Sequence, residues 1–98
     1  MAYVLVATWT AKAGEEDRLK SCLERLAGPS REEPGCRLYQ PCQDPANPGS
    51  FLIFEVYDDE AAFVAHGESA HFQEIAAGEA FPLLESRERS FYVTLDER

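Results

Sequence analysis

The order of apolar runs predicts an α+β domain built strand, helix, strand, strand, helix, strand. Three observations carry this. Four stretches are rich in branched and aromatic residues, at 3–10, 36–43, 51–58 and 85–97. Between the first and second, Leu19, Cys22, Leu23 and Leu26 recur at the spacing of one helix face. Between the third and fourth, two short apolar stripes flank Gly67, with Ala62, Phe63 and His66 before it and Phe72, Ile75 and Ala76 after it. At 98 residues the chain fits one domain, 1–98. That element order is the ferredoxin-like pattern, a four-stranded antiparallel sheet with helices on one face.

Each element has a local reason. In the first strand Tyr3, Leu5, Ala7 and Trp9 share one face, and Val4, Val6 and Thr8 the other. The first helix opens with Glu15, Glu16 and Asp17, where the helix dipole favours negative charge, and Gly28-Pro29 is expected to end it. Pro41 removes a backbone donor from the second strand, so that strand is expected to be an edge or to carry a bulge near its end. The run 44-DPANPGS-50 is dense in turn formers and predicts a hairpin loop. In the third strand Phe51, Ile53, Glu55 and Tyr57 lie on one face, and Leu52, Phe54 and Val56 on the other. Asp58 or Asp59 can cap the next helix, which Gly67 is expected to break. Ser69 can cap a further segment over 70–81, ended by Pro82. In the last strand Arg87, Arg89, Phe91, Val93 and Leu95 alternate with Glu88, Ser90, Tyr92 and Thr94.

The first and third strands are apolar on both faces, whereas a sheet with one wet face alternates. A second copy of the chain, packed sheet to sheet, resolves this, so a homodimer closing into a barrel-like core is expected.

Composition excludes some classes. Nine Lys and Arg against eighteen Asp and Glu give a net charge of -9. That disfavours nucleic acid and anionic membranes as partners. No apolar run approaches the roughly 20 residues of a spanning helix, and the N-terminus lacks the basic start of a leader, so a cytoplasmic location is expected. Cys22, Cys36 and Cys42 are odd in number and have no CxxC spacing, which reads as reduced small hydrophobes.

The ionisable residues in apolar settings are the candidate site. Glu55 sits in a strand apolar on both faces, where a carboxylate is costly unless paired. It is either bridged to Arg87 or Arg89, or held in a pocket with a raised pKa. His66 and His71, the chain's two histidines, lie five apart across the expected break; each is a packing or cap residue, or a pocket group. As a metal pair they lack a third ligand by sequence, so no metal is expected. Trp9, Tyr57, Phe72 and Phe91 are either core or an aromatic pocket wall, with Tyr39 and Tyr92 as further hydrogen-bonding candidates. No phosphate loop, flavin or nicotinamide fingerprint is present, and no cofactor is expected.

The segment 33-EPGCRLYQPCQDPANPGSFLIFEVYDDEAAFVAHGESAHFQ-73 resembles the antibiotic biosynthesis monooxygenase family. The shared order is a Glu-Pro-Gly turn into a strand, an Asp-Pro hairpin, a strand ending Glu-x-Tyr, an acidic cap, Ala-x-x-x-His, then Ser-x-His-Phe. The Val-Ala-Thr-Trp strand and the Gly14-Glu15 helix start also fit. The resemblance implies a dimeric α+β barrel. It also implies a range of activities: cofactor-free oxygenation of quinols and phenols, haem degradation, or rearrangement of a phosphorylated signalling molecule. Haem-degrading members look to use an Asn, Trp and His set, and the one Asn here, Asn47, falls in the hairpin loop. The expectation is a cofactor-independent monooxygenase of a small electron-rich aromatic. His66 serves as base, Glu55 or His71 orients it, and Trp9, Tyr57, Phe72, Phe91 and Tyr92 contact substrate. The alternatives are an isomerase on the same barrel, drawing on Arg37, Arg87 and Arg89, or a non-catalytic dimeric binding module.

Overall fold

The computed structural model describes residues 1–96. Strand β1 (Tyr3–Ala11) leads to helix α1 (Glu16–Arg31), then strands β2 (Cys36–Asp44) and β3 (Asn47–Tyr57), helix α2 (Glu60–Glu68), a wide-turn helix (Phe72–Ala80), a 3-10 turn (Phe81–Leu83) and strand β4 (Leu84–Val93). The sheet is antiparallel in the order β2-β3-β1-β4. This is the expected ferredoxin-like α+β architecture, and β2 is the expected edge strand.

Register places the two faces. Leu5 pairs with Glu55 and Phe91, Ala7 with Ile53 and Arg89, and Trp9 with Phe51 and Arg87. These residues, with Tyr39 opposite Glu55, face the helices. Leu5, Ala7, Trp9, Phe51 and Ile53 are buried there against Leu19, Cys22, Leu23 and Leu26 of α1. The other face carries Val4, Val6, Phe54 and Val56, all half-buried, and the exposed Leu38, Leu52 and Tyr92. A single chain therefore leaves an apolar sheet face against solvent. No helix among the described residues is long and apolar enough to cross a membrane.

Four boundaries differ from expectation, each for a physical reason. Helix α1 does not stop at Gly28-Pro29; it runs one turn further, to Arg31. Ser30 is buried, and the Arg31 Nε donates to the Tyr39 carbonyl at 3.0 Å. Those tertiary contacts outweigh the bond that Pro29 cannot donate. The 44–50 loop is a two-residue turn at Pro45-Ala46, closed by the Ala46 amide donating to Asp44 Oδ1 at 2.8 Å. Strand pairing thus claims residues that composition assigns to a loop. Helix α2 passes through Gly67 to Glu68, because His66 behind the break is fixed by side-chain partners. Its cap is Asp59, whose Oδ1 accepts from the Ala62 amide at 2.9 Å. The last strand ends at Val93, short of the expected 97, and residues 97–98 lie outside the described ones.

The loop after α1 is clamped onto α2. A Cβ on Gly35 would collide with the Cβ of Ala62, so only glycine lets the Glu33-Pro34-Gly35 turn come this close. The Asp58 amide donates to the Gly35 carbonyl at 2.9 Å, and Arg37 pairs with Asp58 at 2.7 Å. This packing carries Glu33 to the inner side of α2.

Candidate active site

Between the helix face of the sheet and the α2 region lies a cavity of about 340 Å³. Its floor is Leu5, Ala7 and Trp9 of β1 with Glu55 of β3, and its roof is Phe63, His66 and Phe72. Tyr39, Phe81, Arg87 and Arg89 close the sides. The wall is apolar and aromatic with a few convergent polar groups, the usual make-up of a small-molecule site.

Glu55 is 4% exposed and His66 3% exposed. The Tyr57 hydroxyl donates to Glu55 Oε1 at 2.5 Å, and His66 Nε2 stands 3.7 Å from the same oxygen. Burial pushes the Glu55 carboxyl up to about 7; the Tyr57 bond and Arg89 pull it back, and Glu33 adds to the rise. No Arg lies within ion-pair distance of Glu55 among the described residues, so the bridge to Arg87 or Arg89 does not form. His66 is held below its ordinary value by burial, with Glu33 acting in the opposite direction. Near neutrality the cavity therefore contains a neutral imidazole and a carboxyl close to half-ionised. Both accept protons under conditions where a free carboxylate is too weak a base.

Behind His66 stands a residue that sequence reading did not single out. Glu33 Oε2 lies 2.8 Å from His66 Nδ1 and 2.5 Å from His71 Nε2. The Ser69 hydroxyl donates to the His66 carbonyl at 2.6 Å and lies 3.1 Å from His71 Nε2. Glu33 sits in the turn quoted above only as part of a resemblance. Its signal was the Gly35 two residues on, which marks a close approach of backbone to a neighbouring helix.

The other expected site residues divide. Trp9 and Phe72 line the cavity, and His66 rests edge-on to Phe72 with centroids 5.2 Å apart. His71 does not line it; it reaches His66 through Glu33. Tyr57 is fully buried with its hydroxyl committed to Glu55, so it supports the site from beneath rather than forming a wall. Phe91 is on the helix side but packs on Tyr3 and Phe63, beside the cavity. Tyr92 is a correction: it pairs with Val4 on the opposite sheet face and is 59% exposed, because side chains alternate along a strand and Arg89 and Phe91 hold the inner side.

Residues 2–78 match the family described as antibiotic biosynthesis monooxygenase, and the chain belongs to that family. Among curated proteins it is 31% identical over 71 residues to an uncharacterized Synechocystis protein, covering 72% of this chain and 48% of that one. The chain thus spans about half the length of that relative. Among solved structures, a Pseudomonas aeruginosa protein is 33% identical, with a TM-score of 0.88 over 97% of this chain and 95% of that one. A Shewanella oneidensis protein is 27% identical, with a TM-score of 0.86 over 93% and 88%. A Mycobacterium tuberculosis protein at 24% identity, with a TM-score of 0.89 over 99% and 98%, shares the fold.

Proposed function

We propose that the protein is a cofactor-independent monooxygenase of a small electron-rich aromatic, a quinol or phenol. The observation that carries this is the placing of His66 Nε2 and a raised-pKa Glu55 on the wall of one aromatic cavity. His66 Nε2 takes the substrate hydroxyl proton, leaving an electron-rich anion. That anion gives one electron to dioxygen, the radical pair recombines to a carbon-bound peroxide anion, and His66 returns the proton to it to give the hydroperoxide. Loss of water leaves one oxygen atom on the ring carbon. The substrate supplies all four electrons, so a hydroquinone and dioxygen become a hydroxyquinone and water without an external reductant. Trp9, Phe72 and Phe81 exclude water, and the Arg87 and Arg89 guanidinium groups face the developing oxyanion. Oxygen uptake by the metal-free protein over a panel of quinols and phenols, with His66→Ala as control, tests this.

One observation favours a second reading. Arg87 and Arg89 both line the cavity, and no carboxylate pairs with either among the described residues. Two uncompensated cations suit a small anionic carbonyl compound, and an isomerase would use His66 to move its proton. The cavity itself weighs against a purely structural binding module. Turnover of anionic carbonyl substrates without oxygen consumption would select the isomerase.

We also propose that two chains pack through the face bearing Leu38, Leu52, Phe54 and Tyr92, forming a homodimer. This apolar face on a chain of -9 net charge supports a partner that buries surface rather than one that pairs charge. The three free thiols, Cys22, Cys36 and Cys42, suit a reducing, cytoplasmic setting.

A further inference from the structure

We infer that Glu33 is a positioning residue that holds His66 in the Nδ1–H tautomer, with His71 bracing Glu33 from the far side. This deepens the reading of His66 as the base and rests on it. Three segments converge here: the loop after α1 brings Glu33, α2 brings His66, and the chain before the wide-turn helix brings His71. Glu33 Oε2 meets a ring nitrogen from each histidine.

The protons can be placed by elimination. Ser69 has one hydroxyl proton, donated to the His66 carbonyl at 2.6 Å. Its oxygen accepts from the Phe72 amide at 3.3 Å, so towards His71 Nε2, at 3.1 Å, it can also only accept. An ionised Glu33 is likewise an acceptor. His71 therefore carries its proton on Nε2. Glu33 takes that N–H and the His66 Nδ1–H together. His66 Nε2 is left as a bare lone pair on the cavity side, near Glu55 and 3.7 Å from its Oε1. When His66 accepts a substrate proton on Nε2, the imidazolium keeps Nδ1–H on Glu33, so its charge forms against a fixed carboxylate. This is the carboxylate–histidine logic that orients general bases in unrelated hydrolases.

The other groups around His66 do not duplicate the role. Tyr39 and Tyr57 flank its ring at centroid distances of 5.6 and 5.4 Å. Glu55 faces Nε2, and Arg89 faces the cavity. Cys36, next to Gly35, has its thiol pushed up to about 11 by burial, so it brings no charge near neutrality.

A His2Glu set can also bind zinc. Tetrahedral donors about 2.0–2.1 Å from a zinc ion stand about 3.4 Å apart. The contacts of 2.8 and 2.5 Å to a single carboxylate oxygen are both shorter than that; the first has the length of a charge-assisted N–H···O bond and the second is tighter still. Proton sharing is thus the arrangement the geometry favours.

Long-range proton–nitrogen spectra of the metal-stripped, nitrogen-15-labelled protein test this without reference to turnover. In the wild type, His66 should be protonated on Nδ1 and bare on Nε2. Glu33→Gln should lower the His66 protonation midpoint by about one pH unit or more, because its charged form loses a carboxylate partner. Glu33→Ala should release the tautomer. With a turned-over substrate, Glu33→Gln should cut kcat at least about tenfold while leaving KM nearly unchanged. An Nε2–H wild-type tautomer, or a midpoint unmoved in Glu33→Gln, overturns the inference. So does micromolar zinc binding abolished by each of Glu33→Ala, His66→Ala and His71→Ala, which would make this a metal site. If the Glu33 variants do not fold, the wild-type tautomer decides alone. Absent oxygen uptake with the expected tautomer refutes the oxygenase and leaves the Glu33 assignment standing; the reverse pattern refutes only Glu33.

Discussion

Replacing Glu55 by Gln should change the pH dependence of stability in a direction set by burial. Glu55 is 4% exposed, and its carboxyl is raised from 4.5 to about 7, chiefly by loss of solvent. In the unfolded chain it ionises near 4.5. Between these values the folded state holds a proton that the unfolded state has released. Stability contributed by this group is complete below about pH 4.5 and is lost as pH rises through about 7. The gap amounts to about 3 kcal/mol at roughly 1.4 kcal/mol per pH unit. Gln cannot titrate, so it removes the slope. The assay is urea unfolding of wild type and Glu55→Gln at matched protein concentration, at about pH 4.5 and about pH 8, read as a difference of differences so that every other carboxylate cancels. The wild type should lose about 2–3 kcal/mol more than the variant across that interval. Parallel losses in both would mean that Glu55 titrates normally, and the pocket chemistry built on it would fall.

Three more outcomes follow from named contacts. Tyr57→Phe removes the hydroxyl that donates to Glu55, so the carboxyl should rise further and any activity limb that it governs should move to higher pH; an unmoved limb would separate Glu55 from that limb. Gly35→Ala should cost about 1–3 kcal/mol through its collision with Ala62, and Ala62→Gly should restore most of the loss; denaturation of the two single variants and the double variant measures the coupling. Leu52→Glu on the exposed sheet face should shift the sedimentation mass from two chains to one, and a wild-type mass of one chain at micromolar concentration would remove the dimer.

The backbone plan was legible because periodicity reports which face is covered. Leu19, Cys22, Leu23 and Leu26 sit at helical spacing and are all buried, and Pro41 marked β2 as an edge. Boundaries were misjudged where a tertiary contact outweighs a local breaker. Gly28-Pro29 and Gly67 are breakers in isolation, yet the helices pass through them because Arg31 and His66 are held from outside their own segments. The site was half legible. Glu55 and His66 stood out as ionisable groups among apolar neighbours, and both reach the cavity. Glu33 lies in a polar loop where a carboxylate is unremarkable, and nothing local says that the chain folds it onto two histidines 33 and 38 residues later. Tyr92 was read on the face opposite Arg89 and Phe91, where the structure has it, yet was also counted as a substrate contact; its pairing with Val4 on the outer sheet face rules that contact out.

The central claim is that His66, facing an aromatic cavity with Glu55 beside it, drives oxygen chemistry without a bound cofactor. Oxygen consumption by the metal-stripped protein across a panel of quinols and phenols tests it most directly. The expected result is uptake above autoxidation, one dioxygen per substrate, lost in His66→Ala. Uptake that survives in His66→Ala, or none across the panel by a folded wild type, would contradict it.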